Sequence, residues 1–151
     1  MYANMFILIC DSEWVYFSQI GSCYKNFVSE SFEHVESFCK LLGGHLTSIH
    51  SQVESDFAVN MVQTGMPSLT ASQQVWIGMQ RSGSSWVKVD DSSSDYKNFG
   101  PDYPKDPSGT NNCANLFADP WSTDPSFASF WQDTTCSQTQ RAFICKTPAN
   151  L

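Results

Sequence analysis

The sequence predicts an α+β fold: two helices early in the chain, short irregular strands after them, and a long loop region. Three observations carry that expectation. Apolar residues recur at helical spacing between Phe32 and Leu42 and again after Ser51. The rest of the chain offers only short β-prone runs. The stretch from Asp90 to Asn112 is rich in Ser, Asp, Asn and Gly, with Pro at 101, 104 and 107, which bars a helix or a central strand there. Those strong breakers divide the chain before any site is considered.

In order along the chain, Trp14-Val15-Tyr16-Phe17 is aromatic and β-prone, and Gly21-Ser22 marks a turn before Cys23-Tyr24. Phe32, Val35, Cys39 and Leu42 form the stripe of an amphipathic helix, and Gly43-Gly44 ends it as a left-handed cap. His45-Leu46-Thr47-Ser48-Ile49 reads as a short strand. Ser51 followed by Glu54 is a capping-box pattern, and the helix it opens is expected to share a face among Val53, Phe57 and Met61. Thr64 to Ser72 is loop. Val75-Trp76-Ile77-Gly78-Met79 and Trp86-Val87-Lys88-Val89 read as strands, and Cys113 to Phe117 and Ala142 to Cys145 as closing strands. A loop as long as 90–112 inside a compact domain is usually functional.

The bulk properties exclude several classes. At 151 residues the chain suits one domain, and 41% hydrophobic against 15% charged residues argues against disorder. The net charge is −7, and the eight cations are scattered with no two adjacent. A phosphate backbone needs clustered positive charge, so no nucleic-acid partner is expected, and anionic membranes and sulfated glycans are disfavoured likewise. No run of about twenty apolar residues exists for membrane insertion. The run from Met5 to Cys10 is short and lacks the basic flank of a signal peptide. Six cysteines without a CxxC pair argue against a zinc ribbon or a redox site and for disulfides, hence a secreted, extracellular protein; their fifteen possible pairings stay open from spacing alone. Neither GxSxG, HExxH nor a P-loop is present, so no enzymatic activity is expected. His34, His45 and His50 have no free cysteine to join them, and no metal role is assigned to them.

The ordered set Cys10, Trp14, Cys23-Tyr24, Cys39 on a helix, Gly44-His45-Leu46, Ile49, Glu54, Trp76-Ile77-Gly78, Trp86, Tyr96-Lys97-Asn98-Phe99, Cys113, Trp131-Gln132-Asp133, Cys136 and Cys145 resembles the C-type lectin-like domain in its long form. The likeness covers residues 10–146, with 1–9 as an N-terminal extension and 147–151 as a tail; small secreted single-domain lectins of invertebrates show the greatest likeness. The resemblance implies the disulfides Cys10–Cys23, Cys39–Cys145 and Cys113–Cys136. The middle one closes a loop of more than one hundred residues, worth about 4–5 kcal/mol in the chain-entropy model.

Sugar-binding members hold calcium in the long loop through a Glu-Pro-Asn or Gln-Pro-Asp tripeptide, a following Glu, and the Asn-Asp of Trp-Asn-Asp. Here those positions fall on Tyr103-Pro104-Lys105, Asn111 beside Asn112, and Gln132-Asp133. The proline remains, and the resemblance implies its cis bond. Calcium wants six to eight oxygens, and of the usual set only Asp133 is unchanged. A lysine ammonium about 4 Å from a divalent ion repels it by about 8 kcal/mol at an effective dielectric of 20. Asp102, Asp106, Asn111 and Asp133 are the remaining donors for an improvised site. No cofactor is therefore expected, and calcium not at the family's usual place.

The resemblance implies a binding module whose ligand is a glycan or glycoprotein, held by Tyr103, Pro104, Lys105, Asn111, Asn112, Gln132 and Asp133 with weak or no calcium need. Tyr103 is the candidate for stacking on a sugar ring, whereas Trp131 reads as a buried anchor and Trp76-Ile77-Gly78 as core. The rival is a protein ligand met by Trp121, Phe127 and Phe130, in a segment longer than the family usually shows. A monomer or weak oligomer is expected. Asp90, Asp91 and Asp95, set amid serines, read as a solvated turn.

Overall fold

Eight short strands and two helices form from these signals in a computed structural model that describes residues 8–28, 30–106 and 109–151. Residues 1–7, most of the expected N-terminal extension, and Pro107-Ser108 in the long loop lie outside the described residues. The strands are β1 (Val15–Phe17), β2 (Ser22–Val28), β3 (His45–Leu46), β4 (Val75–Ser82), β5 (Ser85–Lys88), β6 (Cys113–Leu116), β7 (Trp131–Thr134) and β8 (Ala142–Pro148); the helices are α1 (Phe32–Leu41) and α2 (Gln52–Val62). One sheet runs β1-β2-β8-β4-β6-β7, with β3 beside β8 and β5 beside β4. Pairing is antiparallel except where Val75-Trp76 of β4 lie along Ala142-Phe143 of β8. The fold is α+β, as the residues predicted.

Helix α1 buries Phe32, Val35 and Cys39. Its end is a double glycine cap: Gly43, at φ 87°, donates to the Lys40 carbonyl and Gly44 to that of Cys39, both at 3.0 Å. Leu42, the C-cap residue just before those glycines, stays exposed, so it leaves the expected stripe. Glu36 is buried in its place, with its carboxylate accepting from the Leu46 amide at 2.8 Å and facing His45 Nδ1 at 2.6 Å.

In α2, Ser51 accepts from the Glu54 amide at 3.2 Å, which is half of a capping box. The other half is missing, because the Glu54 carboxylate turns to Tyr24 Oη (2.7 Å), Lys146 Nζ (2.6 Å) and the His50 amide (2.9 Å). That demand rotates the helix. Glu54, Ser55, Ala58 and Val62 face inward, and Val53, expected on the core face, is exposed. Phe57 is half-buried and stacks on Phe17 with centroids 4.2 Å apart.

Strand β7 has no counterpart in the sequence reading. Its alternation of buried Trp131 and Asp133 with half-buried Gln132 and Thr134 suits a strand beside β6, where Leu116 meets Trp131 and Ala114 meets Asp133. The strand expected over 45–49 is reduced to His45-Leu46, after which the Thr47 amide bonds the Ile144 carbonyl at 2.8 Å.

The disulfides are Cys10–Cys23, Cys39–Cys145 and Cys113–Cys136, the pairings the resemblance implied. Around Cys39–Cys145 gather Phe32, Val35, Leu46, Trp76 and Phe143; the second core cluster joins Tyr24, Ile49, Ile77, Leu116, Trp131 and Ile144. Trp76, Ile77 and Gly78 are buried, as expected of core. Near the chain ends the Asn150 amide donates to the Ile9 carbonyl at 2.7 Å.

Candidate functional site

Beyond β6 and β7 the ladder continues for one more rung: the Phe117 amide donates to the Phe130 carbonyl at 3.0 Å and the Ser129 amide to the Phe117 carbonyl at 2.7 Å. That rung pinches residues 118–128 into a closed excursion. Inside it the Asp124 carboxylate accepts from the Ser126 amide at 3.2 Å, and the Phe127 amide donates to the Asp124 carbonyl at 3.1 Å. The aromatic rings pack on one another. Phe117 meets Trp121 edge-on at 5.6 Å and Phe127 at 4.7 Å, and Phe130 lies 5.7 Å from Phe127.

The long loop closes against this segment. Gly100 is required at the contact, since a Cβ there would lie 2.2 Å from Phe127 Cζ. Tyr103 meets Phe127 edge-on at 5.4 Å. Between the two segments is a cleft of about 360 Å³ with walls of Tyr103, Phe117, Trp121 and Phe127. Its polar lining is Asp102, Thr123, Asp124, Lys105 and Gln132. Gln132 Nε2 donates to Tyr103 Oη at 3.1 Å, and Lys105 Nζ sits 4.5 Å over the Tyr103 ring. An apolar wall beside a few polar groups is the composition of a small-ligand site.

The base of the loop is tied to β7. The Gly100 amide donates to the Trp131 carbonyl at 2.9 Å, and the Trp131 amide to the Asn98 carbonyl at 2.8 Å. The Tyr103–Pro104 bond is cis. Asp133 is 2% exposed, and its two carboxylate oxygens accept from the backbone amides of Lys105 (2.8 Å) and Asp106 (3.1 Å). Asp106 is committed in the same way, to the amides of Thr110 at 2.8 Å and Asn111 at 3.3 Å. Arg81 Nη2 donates to the carbonyls of Asp106 and Asn111. These carboxylates complete backbone turns. A cation gathered among them would compete with four backbone amides for these oxygens and approach the Arg81 guanidinium.

The structure therefore divides the residues expected at the site. Tyr103, Lys105 and Gln132 line the cleft together with Trp121 and Phe127, which the sequence had assigned to a different ligand; Phe130 backs Phe127. Pro104 shapes the loop without lining the cleft, and Asp133 lies beneath it. Asn111 joins the turn held by Asp106 and Arg81. Asn112 faces elsewhere, onto a polar hollow of about 750 Å³ shared with Gln80, Arg81 and Cys136. Thr123, Asp124 and Phe117 were not foreseen, because the pinching rung brings their segment to the loop, and Asp102, weighed in the sequence only as a cation donor, lines the cleft instead. Trp131, 1% exposed, is the anchor expected.

A second network was missed. Asp90 is half-buried and not a solvated turn residue, and Asp95, solvent-exposed as expected, is nonetheless ion-paired. Asp90 accepts from both Ser48 Oγ and Ser92 Oγ, and Asp95 faces Lys88 Nζ at 3.0 Å and His50 Nδ1 at 2.8 Å. Asp91 stays exposed at φ 60°, and Asp95 is exposed as well. Burial pushes the Asp90 carboxyl up, but the bonds from Ser48 and Ser92 outweigh it and hold it below its ordinary value. His50 Nε2 also lies 2.9 Å from Ser92 Oγ, so Ser92, His50 and Asp95 stand in the order of a nucleophile, base and acid. The chemistry does not follow, since Asp90 beside the Ser92 hydroxyl opposes an alkoxide and competes with His50 for the proton.

Comparison with known proteins bears on the fold and the family. Residues 28–147 match the model of the lectin C-type domain. Rheacalcin-2 of Rhea americana is 34% identical over 148 residues, covering 91% of this chain and 94% of that protein. The cow CD23 C-type carbohydrate-recognition domain, solved in the presence of an oligosaccharide, superposes with a TM-score of 0.77 at 23% identity over 96% of this chain and all of that one. A calcium-independent type II antifreeze protein superposes at 0.75, also at 23% identity, over 97% of this chain and 99% of that one. The two superpositions speak for the fold; the sequence match over residues 28–147 and the likeness to rheacalcin-2 speak for descent, and by them the chain belongs to the C-type lectin domain family.

Proposed function

We propose that this protein is a secreted binding module that takes a glycan into the cleft between residues 100–105 and 117–132, without a calcium bridge. The observation that carries the reading is the cleft itself. Half-buried aromatic rings offer faces for the apolar side of a pyranose, and Asp102, Asp124, Thr123 and Gln132 offer acceptors and donors for its hydroxyls. The calcium-free part rests on Asp133, whose two oxygens each already accept a backbone amide, of Lys105 and Asp106, and on Lys105 standing at a usual ligand position. Three disulfides suit an oxidising, extracellular setting, and among the described residues no helix is long and apolar enough to cross a membrane. The protein-ligand alternative built on Trp121, Phe127 and Phe130 has less support, because these rings pack on one another and on Phe117 instead of projecting.

A glycan array read once with millimolar calcium and once with chelator tests the proposal. Equal binding in both is expected, with Tyr103→Ala costing about 1–2 kcal/mol, a 5- to 30-fold loss of affinity. Array signal present only with calcium would overturn the calcium-free reading, and an affinity untouched by Tyr103→Ala would remove the cleft. Melting should agree. A specific ion at a hundred times its dissociation constant adds about 2.7 kcal/mol, so a clear rise in Tm with calcium also counts against it.

A further inference from the structure

Lys88 is 2% exposed at the end of β5. A buried ammonium keeps its proton only where acceptors replace water. Here three N–H protons meet three oxygens: the carbonyls of Ser93 at 3.0 Å and Tyr96 at 3.3 Å, and Asp95 Oδ1 at 3.0 Å. His50 Nδ1 stands 3.4 Å away, turned to the same carboxylate oxygen. The surrounding atoms come from the loop after β5 and from the turn before α2. Two carbonyl dipoles aimed at one point repel each other unless a cation sits between them. Residues 92–98 have no helix or strand of their own, yet Tyr96 meets Trp131 edge-on at 5.7 Å, and Trp131 is hydrogen-bonded to Asn98 and Gly100 at the root of the cleft.

We propose that Lys88 is a positioning residue. Its ammonium is a tethered cation around which residues 93–96 fold, and through Tyr96 and Trp131 it sets the Gly100–Tyr103 wall of the cleft. The ordering belongs to the free chain; only its bearing on a ligand rests on the glycan reading above.

Charge and packing are separated by variants of the full chain, read by amide hydrogen exchange over residues 93–104, where the hydrogen-bonded Gly100 and Tyr103 amides report, with β2 and β8 as internal reference. Lys88→Met keeps the stem and loses the charge, and exchange over 93–104 is expected to quicken at least tenfold while the reference amides hold. Lys88→Ala removes a propylammonium-sized piece, so propylammonium chloride should restore protection and 1-propanol should not. Wild-type protection in Lys88→Met, or equal rescue by propanol, overturns the proposal. Should Lys88→Met not fold, Lys88→Ala refolded in each additive decides: recovery in propylammonium alone supports the proposal, and recovery in both or in neither overturns it. An array with Lys88→Met then reads the link to the cleft. A wild-type chain that binds no glycan sinks the proposed function and leaves the exchange result to decide on Lys88.

Discussion

Asp95 is half-exposed, yet hydrogen bonds from Lys88 and His50 hold its carboxyl well below the usual carboxylate range. A depressed carboxyl favours the fold above its unfolded value, near pH 4, and gives up that contribution as pH falls through the folded value. Protection of the Gly100 and Tyr103 amides should therefore persist at pH 4 and decline on further acidification, and Asp95→Asn should flatten that decline in exchange measured against pH. The Asp90 carboxyl is also held below its ordinary value, so the difference between the two chains isolates Asp95. None of this was visible in the sequence. An alternating strand does not say which of its faces is buried, and a lysine between two valines reads as the solvent side until Trp86, two residues earlier, is seen to point inward with it. The charge of Lys105 was legible; that its amide would occupy Asp133 was not, because a backbone donor has no sequence signature.

At the scale of elements, Glu54 joins α2 to β2 and β8. It is fully buried and bonded to Tyr24 and Lys146, and burial together with the Glu54 carboxylate pushes the Tyr24 hydroxyl far above its ordinary value. Glu54→Ala leaves a buried ammonium and a phenol without their acceptor, a loss of about 3–5 kcal/mol, which urea unfolding would show as a lower midpoint at unchanged slope. A loss under about 1 kcal/mol, the worth of an exposed pair, would mean that water replaces the carboxylate. The same residue explains a phase error. Apolar spacing placed Val53 inward, but a buried ion pair outranks one valine and turns the helix. Elements announced by caps and breakers were readable, as Ser51 and Gly43 were; β7 was not, since Gln132 and Thr134 hide a strand whose partner is supplied only by the folded β6.

For the molecule as a whole, Cys39–Cys145 spans 106 residues and pins α1 to β8 in the middle of the sheet. Replacing both cysteines with alanine should lower stability by about 4–5 kcal/mol in the chain-entropy model, read by denaturant unfolding, and a loss below 1 kcal/mol would show the core carries the fold without it. The pairings became legible through family likeness, spacing alone having left them open. The merging of two loops into one cleft was legible at neither level, because it depends on a ladder rung outside both.

Asn150 bonds Ile9 beside the β1–β2 margin, while the cleft opens at the β6–β7 margin. At about 4.8 Å per strand the two lie roughly 20 Å apart across the sheet. A fluorophore or a second copy fused after Leu151 therefore leaves the opening facing solution, and several copies held that way would turn a weak grip by each into a firm one together.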